Sequence, residues 1–143
     1  MNNNIIDDYQ IGDEIPSLIT KPISRSMLAL YAGASGDHNP IHIDIDFAKQ
    51  TGLSDVIAHG MLVMSFIGQA MTNIFPQESI KKFDTKFISM TNISDILTCE
   101  GKVIDLELED SLKRLFLKLL VIDQSGDKKL SGSAIIELIL KDE

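Results

Sequence analysis

The chain is poor in cysteine, tryptophan, proline and positive charge: one Cys, no Trp, four Pro, and 13 Lys and Arg against 21 Asp and Glu. A lone thiol, Cys99, cannot close an internal disulfide, so nothing argues for an oxidising compartment. The formal charge of −8 weighs against nucleic acid, because backbone binding needs a basic face that releases counterions. It does not exclude an anionic small substrate, which a few local cations can hold. Also missing is a basic start followed by an apolar run of signal-peptide length. The longest apolar stretch, Met61 to Ile74, is interrupted by Ser65, Gly68, Gln69, Thr72 and Asn73 and falls short of a membrane span. The expectation is a soluble cytoplasmic protein that binds neither nucleic acid nor membrane. What is present is ordinary: 44% hydrophobic and 24% charged residues describe a globular protein. At 143 residues a single domain over 1–143 is expected, burying about two thirds of the surface its unfolded chain exposes.

The texture changes near Pro76, with helix and loop signals before it and strand signals after it, which reads as α+β with an antiparallel sheet. Tyr9 to Ile19 reads as a short strand or extended arm. Ser24 is placed to cap a helix whose apolar face is Met27, Leu28, Leu30 and Tyr31, with Gly33 and Gly36 ending it. A short helical turn is expected at Asp46 to Gln50, stopped by Gly52. Gly60 to Phe75 is long enough for four turns, apolar on nearly every side, and is expected in the interior, with Pro76 ending it. Four strands are expected at Lys82–Met90, Ile96–Ile104, Leu112–Asp123 and Leu130–Leu140. The last two flank Asp123-Gln-Ser-Gly-Asp127, a turn signal that makes them a hairpin, and they are apolar enough for both faces to be covered. One buried helix wrapped by a curved antiparallel sheet, the hotdog arrangement, is the architecture these pieces allow. Its edge strand is hidden most simply in a dimer.

The chemistry concentrates in Gly36-Asp37-His38-Asn39-Pro40-Ile41-His42, where Asn, Asp, Gly and Pro demand a loop. All three histidines, His38, His42 and His59, fall close to it in sequence. Polar groups stacked this densely need partners or a function. Plain readings exist for each: Asp37 as a turn former, His42 as a satisfied core histidine, His38 facing solvent, His59 fixing the loop through hydrogen bonds. A metal is not expected, because Pro40 breaks the helix a His38–His42 pair would need and no third ligand stands at a recognisable spacing. The sharper reading makes Asp37 and His42 an acid–base pair around one water. Gly60, first residue of the buried helix, then offers its backbone N–H to a carbonyl oxygen that gathers charge.

Tyr31-Ala-Gly-Ala-Ser-Gly-Asp-His-Asn-Pro-Ile-His42, with Ala48 beyond it, resembles the hydratase-2 motif of MaoC-like (R)-specific enoyl-CoA hydratases. Gly52-Leu-Ser-Asp-Val-Ile-Ala-His-Gly-Met-Leu62 is similar to the segment that opens the central helix in that family. The resemblance also extends to (3R)-hydroxyacyl-ACP dehydratases. It implies a hotdog fold, dimers with a continuous sheet, and reversible hydration of trans-2-enoyl thioesters of CoA or acyl-carrier protein to (3R)-hydroxyacyl thioesters. No cofactor or metal is expected. By position the resemblance implies Asp37 and His42 as the catalytic pair and Asn39 and Gly60 as substrate-binding residues, Asn39 supporting the geometry of the pair and Gly60 binding the thioester carbonyl. Which of Asp37 and His42 is acid and which base stays open, since both act on one water. The chain departs from the family at Ser89 to Asp95: the aspartate is kept, but the proline and glycine that usually precede it are not, which puts the local turn in question.

Two other readings compete. A thioesterase on the same fold usually carries its carboxylate on the central helix, and Gly60 to Phe75 has no Asp or Glu. A non-catalytic acyl-thioester-binding subunit, or a partner subunit in a heterodimer with a second hotdog chain, would be expected to lose Asp37 or His42, and both are present.

Overall fold

The structure, a computed structural model, describes residues 4–140. After a short helix α1 (Asn4–Asp7), the elements that frame the site are β1 (Leu18–Ile19), α2 (Arg25–Ser35), α3 (Ile45–Gln50), α4 (Gly60–Thr72), β2 (Ile80–Phe87), β3 (Thr98–Glu109), β4 (Leu112–Ile122) and β5 (Lys128–Ile139). The strands form one antiparallel sheet in the order β1-β3-β4-β5-β2. Helix α4 packs against β1, β3 and β4. This is the hotdog arrangement expected from the sequence: a curled sheet around one central helix.

The hairpin β4–β5 forms at the predicted turn. Asp123 Oδ1 accepts the Ser125 and Asp127 N–H groups at 2.9 and 3.0 Å, and Gly126 takes a φ of 85°. Along β4, Leu115, Leu117, Leu119 and Val121 are fully buried, each worth about 2 kcal/mol of transfer free energy. The alternate residues Arg114, Phe116, Leu120 and Ile122 are half-buried and Lys118 is exposed, so one face, not both, is covered. Strand β3 runs past the expected end at Ile104 to Glu109. The acidic stretch Asp105 to Glu109 hides the strand signal, yet it pairs residue by residue with β4 through a two-residue turn at Asp110, φ 52°.

In α2 the Ser24 side chain accepts the Met27 N–H at 3.1 Å, as its spacing predicts. Gly33 lies inside this helix instead of ending it; Gly36, left-handed at φ 77°, is the C-cap, where a side chain would be strained. Helix α4 stops at Thr72, three residues short of the expected Phe75. Nor is it buried all round: Leu62, Val63, Ile67, Ala70 and Met71 are buried, while Met61, Ser65, Gln69 and Thr72 form an exposed stripe. No helix of the described residues is long and apolar enough to cross a membrane.

Candidate active site

The loop after α2 is assembled by its own side chains. The Asp37 carboxylate accepts the Asn39 N–H at 3.2 Å, and Asn39 Oδ1 accepts the Ile41 N–H at 3.1 Å. Asn39 thereby caps a 3₁₀ turn, Pro40–His42, in which proline takes the position that needs no N–H donor. The turn swings His42 back toward the chain entering α4. There His42 Nδ1 lies 2.7 Å from the Ile57 carbonyl oxygen. A carbonyl oxygen only accepts, so Nδ1 carries the hydrogen and Nε2 of the neutral ring is left as the basic nitrogen.

His59 joins the same cluster. Only 1% exposed, it stacks on His42 with ring centroids 3.9 Å apart and planes 25° from parallel, and meets the Tyr31 ring edge-on at 4.7 Å. Its Nε2–H donates to the Asp37 carbonyl oxygen at 3.2 Å, so the expected role in fixing the loop is visible. One potential ligand atom from each of Asp37, His42 and His59 lies within 4.8 Å of the others. His59 stands 22 positions from Asp37, outside any recognisable ligand spacing, and only the fold returns it as a third group here. Two histidines and a carboxylate are a familiar metal-binding set. Stacked rings, however, hold their in-plane lone pairs in two nearly parallel planes, here with centroids 3.9 Å apart, an arrangement that does not suit two imidazoles sharing one metal. His38 is exposed, as expected.

Burial lowers the His59 imidazole below its ordinary range; the bond to the Asp37 carbonyl opposes this, and the neighbouring His42 adds to the lowering. The net direction keeps the ring neutral.

His42 and Gly60 line a cavity of about 330 Å³ with Ile57, Ala58, Val63 and Phe87. Gly60 opens α4 with no side-chain cap, so the first-turn amides stand at the positive end of the helix dipole. The Phe87 ring lies against this glycine, 3.1 Å from where a Cβ would sit, so an alanine here would have to push the ring aside. Asp37 is not among the lining residues and reaches the cavity through its neighbour His42. A cavity of about 360 Å³ elsewhere, beside Pro76 and Leu138, has carboxylates but no histidine.

The far rim is the segment Ile88 to Asp95, where the sequence departs from the family pattern. The turn survives: Ser94 takes the left-handed conformation itself, at φ 72°. Beneath the rim lies a cluster that the sequence reading missed. Lys129, 6% exposed, donates to the Met90 carbonyl at 2.9 Å and faces the Asp123 and Asp95 carboxylates at 3.3 and 3.8 Å. The Thr91 carbonyl in turn accepts the Ala58 N–H at 2.9 Å, fixing the segment whose Ile57 carbonyl orients His42.

The MaoC like domain model matches residues 8–115. The chain is 27% identical over 139 residues to a 3-hydroxybutyryl-CoA dehydratase of Methylorubrum extorquens, covering 96% of this chain and 85% of that protein. It is also 27% identical over 127 residues to an (R)-specific enoyl-CoA hydratase of Aeromonas caviae, covering 84% and 90%. Among solved structures it is similar to the unliganded R-hydratase from Pseudomonas aeruginosa, with a TM-score of 0.81 and 25% identity over 96% of this chain and 86% of that one.

Proposed function

We propose, on the premise that this chain belongs to the MaoC-like domain family, that it hydrates trans-2-enoyl thioesters to (3R)-hydroxyacyl thioesters and runs the reverse dehydration, with Asp37 and His42 as the acid–base pair. The hydratase or dehydratase chemistry is that of the family; the (R) outcome and the residue roles are the finer reading. The observation that carries it is the convergence of Asp37 and a half-buried His42 whose Nδ1 is committed to Ile57, beside an uncapped helix tip in the same cavity.

In hydration the water oxygen bonds to C3, one water proton leaves to the pair, and C2 gains a proton. Charge that collects meanwhile on the thioester oxygen is met by the Gly60 N–H. A fixed donor of this kind contributes about 3 kcal/mol. Asn39 acts at one remove, holding the turn that sets His42. No step needs a metal or a redox cofactor.

The acyl chain runs from Gly60 along the seam between α4 and β2. Phe87, Thr85 and Phe83 of β2 face Gly60, Met64 and Gly68 of α4, with Thr85 Oγ1 donating to Met64 Sδ at 3.3 Å. Met64 therefore limits acyl length. Among the described residues strand β2 pairs only with β5, and its outer edge, next to half-exposed Phe87, Ile88 and Met90, is where a second copy or a second hotdog subunit adds its own edge.

The test is hydration of crotonyl, hexenoyl and octenoyl thioesters of CoA and acyl-carrier protein, followed by loss of enoyl absorbance and chiral analysis. An (R)-alcohol is expected, with Met64→Ala moving the preference toward longer chains. An (S)-alcohol, or release of the free thiol without hydration, overturns the reading; thiol release is what the thioesterase alternative requires. Light scattering tests the dimer, and a monomer at micromolar concentration would remove it.

A further inference from the structure

We propose that His59 is a positioning residue for the acid–base pair, a platform that holds His42 and Asp37 in one arrangement. The proposal rests on the hydratase reading for its kinetic consequence but not for its geometry.

The His59 side chain touches both members. Its ring covers the His42 ring at 3.9 Å, and its Nε2–H holds the Asp37 carbonyl oxygen at 3.2 Å. Its backbone opens α4, the His59 carbonyl accepting the Leu62 and Val63 N–H groups at 3.1 and 3.3 Å. One residue thus joins the Asp37 loop, the His42 ring and the helix tip that carries Gly60.

The remaining nitrogen supplies the second argument. His59 Nδ1 is buried and has no hydrogen-bond partner among the described residues. An unsatisfied buried acceptor is costly, so this histidine is a poor choice for a core that needed only packing. A histidine is explained when a ring and a donor are both required at one position. Stacking needs a flat ring, the Asp37 bond needs an N–H, and burial then keeps the ring uncharged. A neutral face is also the surface on which an imidazolium sits well, because cation–π attraction acts within about 6 Å of a ring centre. The titratable groups facing His59 are His42, Asp37 and Tyr31, from the loop and from α2. A charge on His59 would oppose protonation of His42; a neutral His59 leaves the proton to its neighbour.

Three variants separate the parts. His59→Phe keeps the stack and volume but loses the donor; His59→Gln keeps a donor without the ring; His59→Ala loses both. Misplacing reacting groups by about 1 Å costs on the order of 10²-fold, so His59→Ala should lose about that factor in kcat with KM changed less than about threefold. The Phe and Gln variants should fall between. Thermal melting and circular dichroism show whether each variant folds; the Phe variant, closest in volume, keeps the test available if the Ala variant does not. Independently of activity, the His42 ring protons should be ring-current shifted in the wild type and move downfield in His59→Gln. Full kcat in both half-variants, a rise in KM alone, or an unchanged His42 spectrum overturns the assignment. Loss of the spectral signature together with inactive wild-type protein would instead count against the hydratase reading and leave the platform standing.

Discussion

Two polar clusters sit at this end of the sheet, and their hydrogen bonding differs. In the first, Lys129 serves Met90, Asp123 and Asp95, and the two carboxylates also take N–H groups from Ser125, Asp127, Asn92 and Gln124. Its capacity is nearly used up within the protein. In the second, Asp37 accepts one amide, His42 keeps Nε2, and His59 keeps Nδ1. Capacity left over is what a reacting water needs, whereas a satisfied network is fit for holding a shape. The satisfied cluster also supports the open one, since the Thr91 carbonyl accepts the Ala58 N–H and the adjacent Ile57 carbonyl orients His42.

The contrast breaks if the first cluster matters for rate alone or the second for stability alone. The largest effect expected is on turnover: Asp37→Asn and His42→Ala should each lose about 10³-fold in kcat, some 4 kcal/mol, and melt within a few degrees of the wild type. A large melting shift would place these residues with the structural cluster. Lys129→Met should do the opposite, destabilising the fold by about 3 kcal/mol in urea titration because two carboxylates are left buried without their cation. Should Lys129→Met prove as stable as the wild type, the cluster is not structural.

Acid sharpens the comparison further. Burial raises the Asp123 carboxyl, but the Asp127 and Ser125 amides and Lys129 outweigh it, so its folded pKa lies below the ordinary 3.8. The unfolded state then binds the proton more readily, and stability present above pH 4 is lost as pH falls through that value. His59 is lowered from 6.5, so its contribution is complete above that pH and begins to be lost as pH drops past it. His59→Phe should remove the loss that begins near pH 6.5, and Asp123→Asn the loss below pH 4, both read from urea midpoints across pH. The smallest effect expected is at the rim. Ser94→Gly relieves a left-handed serine while loosening the unfolded chain, for a net gain of about 0.5 kcal/mol with turnover unchanged. A loss of stability would mean that the Ser94 side chain holds the turn.

Turn chemistry, which acts over a few residues, was readable without coordinates. The Ser24 cap, the Asn39–Pro40 turn and the Asp123–Asp127 hairpin all rest on bonds between positions no more than four apart. The motif likewise singles out Asp37, His42 and Gly60, and the fold brings His42 and Gly60 to one cavity with Asp37 beside His42. Where pattern stands in for packing, expectation and structure part: Gly33 continues α2, α4 keeps an exposed stripe, and β3 runs on past Ile104 to Glu109.

Amino-acid order alone determined which short segments could turn, cap or alternate, because those preferences belong to neighbouring residues. Tertiary structure decided that Ile57 selects the His42 tautomer, that His59 lies over its ring, and that Lys129 is buried between Asp95 and Asp123. Apart from Lys129 and Asp123, six residues apart across the hairpin, these contacts join positions 15 to 34 residues apart, and no local preference specifies them until the sheet has closed around α4.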